Sequence, residues 1–247
     1  MKNKRIVLVI TLFACLTLCL FVFIVRDFIF PNESKQDEID FTSLSYVAFG
    51  DSITRGADHN NNYEPMEYPY PRLVGEALEL KYVQNLAFSG AVFCANDNGN
   101  VCMTDRITSY MDEADIISVW LGFNDWARSF PLGTISDKTN TTIYGCLYLI
   151  AEHLTTVHKD AFVFFITPYK TSLIRNEYYT LPDVVKAIKE VAAIYDIPVL
   201  DMYNVGNFEL EMYEEISDGV HPTPEFVKEY TAPQITEFIK EKYKKKN

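Results

Sequence analysis

Positive charge is scarce in this sequence. Lys and Arg number 22 against 34 Asp and Glu, leaving a formal net charge of −12. Three of the basic residues, Lys2, Lys4 and Arg5, precede position 6. A chain of that sign repels phosphate backbones, so nucleic acid is excluded as a partner. The one basic cluster, Lys240, Lys242, Lys244, Lys245 and Lys246, reads as favourable charge on the last turn of a helix followed by a solvated tail. Internal repeats and low-complexity tracts are absent too. The hydrophobic fraction of 48% and charged fraction of 23% are those of an ordinary folded chain. Of the 247 residues, about two hundred follow the first forty, a normal size for one α/β domain with a sizeable core.

Long apolar runs are also rare, with one exception. Ile6–Val25, IVLVITLFACLTLCLFVFIV, contains no charge. At about 1.5 Å per helical residue it matches the roughly 30 Å hydrocarbon core of a bilayer. Basic residues precede it and only the balanced pair Arg26 and Asp27 follows closely, so the positive-inside rule places the N-terminus in the cytoplasm and the main domain outside. A cleaved signal peptide is the competing reading, but it needs a shorter apolar region ending in small residues. The stretch around Leu12–Cys15 is a poor lipoprotein cleavage box, because Phe13 is bulky and the residues after Cys15 stay apolar. Residues 1–30 are therefore expected to form a cytoplasmic stub and membrane anchor. Residues 31–44 are expected to be a tether, whose segment PNESKQDEID, Pro31–Asp40, has nothing to bury.

Cysteines number five, two of them, Cys15 and Cys19, inside the apolar run. Cys94 and Cys102 flank CANDNGNVC and are spaced to close a small disulfide loop, which would leave Cys146 as a free, buried thiol. The Asn-rich character of that loop does not match the spacing of a calcium loop. Asn140-Thr141-Thr142 fits a glycosylation sequon, meaningful only in a host that glycosylates exported proteins.

Past the tether, short apolar runs rich in β-branched and aromatic residues recur at Ser45–Phe49, Tyr82–Leu86, Ile116–Leu121, Phe162–Thr167 and Ile197–Leu200. Helical periodicity is clearest over Asp183–Tyr195, where Val184, Val185, Ile188, Val191 and Ala192 share a stripe, and Thr142–Val157 is a second helix. Continuously apolar strands alternating with helices imply a five-stranded, mostly parallel sheet covered on both faces, with ligands bound at the carboxyl ends of the strands.

Chemically able residues fall on that rim. Ser52 follows the first strand in FGDSIT, Gly90 the second in NLAFSGA, and Asn124 the third in GFND. A serine hydroxyl is a poor nucleophile unless a base lies within hydrogen-bond reach and a carboxylate orients the base. Histidine is confined to four positions. His153 and His158 read as surface residues of the helix Thr142–Val157, and His59 lies in the polar stretch DHNNN. His221 stands apart: in DGVHP an acid, Asp218, precedes it by three residues with Gly219 between to turn the chain back. Thr223 and Pro224 then suit the cap and first turn of a final helix. The Ser52 and Gly90 N–H groups and the Asn124 amide fit the set of donors that a tetrahedral oxyanion needs.

Taken in order, Gly50-Asp51-Ser52-Ile53, Gly90, Gly122-Phe123-Asn124-Asp125 and Asp218-Gly219-Val220-His221-Pro222 resemble the four blocks of the SGNH hydrolases, the GDSL-type esterases and lipases. Ile53 stands where the family name has Leu. The resemblance covers about Ser45–Lys240 and implies a flavodoxin-like three-layer α/β/α sandwich over residues 45–247. It also implies Ser52 as nucleophile, His221 as base, Asp218 as its orienter, and Ser52, Gly90 and Asn124 as the oxyanion hole, with no metal or other cofactor. The expected activity is that of an extracytoplasmic serine esterase acting on acetyl or short acyl esters, of small molecules or of extracellular or wall glycans. Tyr63, Tyr68 and Tyr70, in NNNYEPMEYPYP, are candidates to stack on sugars at the pocket rim. A lysophospholipase held at the membrane surface is the alternative enzyme. An inactive surface-binding module is a third reading, although every triad position is filled.

Overall fold

The structure, a computed structural model, describes residues 39–57, 69–95, 99–171, 173, 175–204 and 218–243. Phe41–Asn247 forms one compact unit. Its sheet has five strands, β1 (Ser45–Gly50), β2 (Tyr82–Asn85), β3 (Ile116–Trp120), β4 (Phe162–Ile166) and β5 (Val199–Leu200). They lie in the order β2-β1-β3-β4-β5, and every pairing is parallel. Each strand occurs where an apolar run predicts it, ending one residue later or up to two residues shorter than the run. That order is the flavodoxin-like one.

Helices α1 (Ser52–Arg55), α2 (Tyr70–Ala77), α3 (Met103–Thr108), α4 (Phe123–Ala127), α5 (Ile143–Val157) and α6 (Leu181–Ile194) follow in chain order, and α7 (Ala232–Lys242) closes the described chain. Because side chains alternate across a strand, Val47, Phe49, Ile117, Val119, Val163 and Phe165 point to one face. There they form the main core with Met103 and Ile107 of α3, Leu147 and Ile150 of α5, and Val184 and Ile188 of α6. The opposite face carries Trp120, whose ring lies 5.3 Å from Tyr70 of α2 and 4.9 Å from Tyr169, while Phe164 meets Phe238 of α7 at 5.4 Å. Helices thus cover both faces, which is why β3 and β4 are apolar apart from Ser118, while the edge strand β2, Tyr82–Asn85, carries Gln84 and Asn85 and is only partly buried. Ser118 is buried but is satisfied by the Tyr46 hydroxyl at 2.7 Å.

Capping explains the helix boundaries. Thr142 accepts a hydrogen bond from the Gly145 N–H at 3.1 Å and so starts α5 one residue later than the periodicity suggests. Asp183, the expected first residue of α6, instead accepts from the Thr180 N–H at 2.7 Å, which makes it the third helical residue behind Leu181 and Pro182. The final helix begins as expected, with Thr223 accepting from the Phe226 N–H at 3.1 Å and Pro224 in its first turn. A π-helical segment, Val227–Thr231, then separates that turn from α7, and the Thr231 hydroxyl it carries hydrogen-bonds the buried Tyr169.

Several expectations are corrected here. Tyr70 is not a rim residue: it is 1% exposed in the core, its hydroxyl 3.2 Å from the Thr54 hydroxyl. The stretch that reads as a Pro-rich loop contains the start of α2, with Pro71 in its first turn. Cys94 and Cys102 are free thiols. Cys102 donates to the Phe93 carbonyl at 3.2 Å, while a hydrogen bond with the Cys146 thiol, together with burial, pushes the Cys94 thiol far above its usual range. His158 is buried rather than exposed, and the Nε2 atoms of His153 and His158 both lie on the Tyr110 carbonyl, at 3.0 and 3.1 Å. Tyr63, Tyr68, His59, the run Ile6–Val25 and most of Pro31–Asp40 lie outside the described residues. Among the described residues no helix is long and apolar enough to cross a membrane.

Candidate active site

In a parallel sheet the strand order reverses at one point, here between β1 and β3, and the crevice beyond the carboxyl ends of those strands is where ligands bind. Both strands end there in a glycine-led turn. Gly50 closes β1 because nothing larger fits: an added Cβ would lie 2.0 Å from the Thr54 hydroxyl and 2.9 Å from the Trp120 carbonyl. Asp51 then caps α1, its carboxylate accepting the Ile53 N–H at 3.0 Å. Ser52 is thereby the first residue of α1, 8% exposed.

His221 reaches Ser52 across 169 positions of sequence, its Nε2 2.8 Å from the Ser52 Oγ. The imidazole is set by Asp218. One carboxylate oxygen accepts the Val220 N–H at 2.8 Å and the His221 N–H at 2.6 Å, and the other lies 2.7 Å from Nδ1. With the carboxylate as acceptor, Nδ1 is the protonated nitrogen and Nε2 is left bare toward the serine hydroxyl. Gly219, at φ +76°, turns the chain between the acid and the imidazole, and the Thr171 hydroxyl ties its carbonyl down at 2.7 Å.

The donors converge on the same spot. Gly90 has φ +74°, a left-handed conformation that side-chain-bearing residues rarely adopt. Neither its N–H nor that of Ser52 donates to another described residue. The Asn124 amide donates to the Ala91 carbonyl at 3.0 Å and makes a long, weak contact of 3.4 Å with Asp51. One of its hydrogens is therefore poorly engaged and available to a ligand. Ser52, Gly90, Asn124 and His221 all line one cleft of about 620 Å³, with Asp218 behind His221. The structure therefore brings together Ser52, Gly90, Asn124, Asp218 and His221, whereas Tyr70 lies in the core.

Two buried carboxylates support the cleft. Asp125 is fully buried, and its oxygens accept the N–H groups of Phe93 at 2.9 and 3.0 Å and of Cys94 at 3.2 Å, which fixes the loop just after Gly90. Burial raises its carboxyl to about 6 against the opposing pull of those N–H donors. Burial likewise raises Asp51 to about 6, opposed by the Ile53 N–H and by the charges of His221 and Arg128. Asp125 reads in the sequence as a simple cap, because nothing local reveals that its partners lie 31 and 32 residues upstream. Arg128 and Arg175 also line the cleft. Arg128 was discoverable: it stands four residues after Asn124 and so shares its helical face.

Among the described residues no cluster of three His, Cys, Asp or Glu side chains is arranged to hold a metal ion. A hydroxyl facing a bare imidazole nitrogen, with unspent N–H donors beside it, suits acyl transfer.

The comparisons agree with that chemistry. A sequence model of the GDSL-like Lipase/Acylhydrolase family matches residues 48–227. The chain belongs to this family, within the SGNH hydrolases, and is a hydrolase of ester bonds. No curated protein sequence matches it. Among solved structures, a protein from Lactobacillus plantarum is 24% identical with a TM-score of 0.70, covering 82% of this chain and 99% of its own. A lipase/acylhydrolase from Enterococcus faecalis is 21% identical with a TM-score of 0.61, covering 83% and 99%. A carbohydrate acetylesterase family member from Sinorhizobium meliloti is 16% identical with a TM-score of 0.57, covering 80% and 98%. At these identities the likeness concerns the fold.

Proposed function

We propose that the protein is a serine esterase that removes acetyl or short acyl groups, using Ser52, His221 and Asp218 as a triad and Ser52 N–H, Gly90 N–H and Asn124 as the oxyanion hole. The observation that carries this reading is the continuous chain from the Ser52 Oγ to His221 Nε2 at 2.8 Å and from His221 Nδ1 to Asp218 at 2.7 Å. His221 takes the Ser52 proton as Oγ attacks the ester carbonyl, and the three donors hold the oxyanion. Collapse expels the alcohol, which receives the proton from His221. Water, deprotonated by the same imidazole, then releases the acid and restores Ser52.

The substrate is read as an ester on a glycan or a small molecule. Support comes from similarity in fold to the carbohydrate acetylesterase family member and to an acetyl-xylooligosaccharide esterase. The uncharged run Ile6–Val25 behind Lys2, Lys4 and Arg5 supports a membrane anchor with the catalytic domain, residues 45–247, outside the cytoplasm. The test is release of p-nitrophenol from acetyl, butyryl and octanoyl esters. Rates that fall with chain length support the short-acyl reading; rates that rise with it overturn that reading in favour of a lipid substrate.

A further inference from the structure

The cleft has a charge pattern opposite to that of the chain. In a protein of net charge −12, the described residues lining it include Arg128 and Arg175 but no Asp or Glu. Neither guanidinium forms an ion pair among the described residues, in contrast to Arg72, which is paired with Glu76. Arg128 is held at the oxyanion side by one hydrogen bond, to the Gly90 carbonyl at 3.0 Å, which leaves most of its donors unspent. Arg175 lies in the segment between β4 and α6. That segment is pinned at both ends of the site, through Thr171 to the Gly219 carbonyl at 2.7 Å and through Asn176 to the Trp126 carbonyl at 2.9 Å.

Two guanidinium forks without ion pairs among the described residues, in the cleft that also holds Ser52, are able to bind an anion. Arg presents rigid paired donors that match the oxygens of a carboxylate or phosphate. The acidic chain, with Asp51 and Asp218 behind the lining, weakens the long-range pull on an anion, but a guanidinium in direct contact with the anion still offers it charge-assisted hydrogen bonds. A neutral ester needs no such contact. We infer that the ester hydrolysed at Ser52 carries an anionic oxygen group, a carboxylate or a phosphate, close to the scissile bond, and that Arg128 and Arg175 bind it. This rests on the esterase reading and narrows it to acidic substrates.

The experiment compares three O-acetyl esters differing in one group: those of methyl glucoside, methyl glucuronoside and methyl glucoside 6-phosphate. The full-length enzyme is used, with Arg175→Gln and Arg128→Lys beside it. Both side chains are exposed, so neither substitution opens the core, and Lys retains a donor for the Gly90 carbonyl. Wild-type kcat/KM is expected to favour a charged ester over the neutral one by roughly tenfold or more, as for charge-assisted hydrogen bonds. The preference should shrink severalfold in both variants, mainly through KM. The carboxylate and phosphate arms then show which source of charge is preferred. Equal or slower turnover of both charged esters, or a preference undiminished in both variants, overturns the inference. Failure of the esterase reading itself looks different: p-nitrophenyl acetate is then not hydrolysed, or is hydrolysed equally by Ser52→Ala.

Discussion

Asp218 holds His221 at two points, its backbone N–H at 2.6 Å and its ring Nδ1 at 2.7 Å. One carboxylate three residues upstream therefore fixes both the loop and the tautomer. Asp218→Asn preserves size but presents an N–H where an acceptor is needed. Turnover of a short acyl ester should fall by about 10³- to 10⁴-fold, as expected when the imidazole takes the wrong tautomer. Ester kinetics on the purified variant check this, and a loss below tenfold would contradict the assigned role.

Asn124→Ala removes one of the three donors proposed for the oxyanion and leaves the other two in place. The expected loss is on the order of 10²- to 10³-fold in kcat, with KM nearly unchanged, because the donor acts on charge that develops only in the transition state. A variant whose KM rises while kcat stays constant would place Asn124 in substrate binding instead.

Gly50→Ala tests packing rather than chemistry. The added methyl meets the Thr54 hydroxyl and the Trp120 carbonyl inside normal contact distance, and overpacking of this kind costs roughly 1–3 kcal/mol. Denaturant unfolding should show that loss. Activity should fall as well, because Thr54 stands two positions from Ser52 in α1 and Gly50 itself leads into the turn that presents Ser52.

The two raised carboxyls make a prediction about pH. Asp51 and Asp125, each near 6 when folded against an ordinary value of 3.8, bind protons more tightly in the folded state. Their contribution is fully present below the unfolded value and is lost as pH rises through about 6. Two units correspond to about 3 kcal/mol per group. Between pH 4 and pH 7 the unfolding free energy of the wild type should therefore fall relative to that of Asp51→Asn. Parallel pH profiles for the two proteins would contradict it.

Much of the site was legible in the sequence for a physical reason. A parallel sheet buried on both faces writes its strands as apolar runs, and the chemistry then stands where each run stops. Ser52, Gly90 and Asn124 follow the first three runs, and Asp218 reaches His221 within a local tripeptide-scale loop, so sequence distance did not hide it. What was missed depends on contacts between distant segments. Asp125 looks like a cap until the Phe93 and Cys94 N–H groups are seen on it. Tyr70 looks like a rim aromatic until α2 turns it onto Trp120. Cys94 and Cys102 look like a disulfide pair until Cys94 is found beside Cys146, a neighbour 52 positions away that no spacing rule indicates.

The measurement that tests the central claim most directly is covalent labelling by a fluorophosphonate, which reacts with an activated serine hydroxyl, followed by peptide mapping. The account predicts a single adduct on Ser52, formed rapidly by the wild type and suppressed in His221→Ala. An enzyme that hydrolyses esters with no label on Ser52, or with its label on another serine, would contradict it.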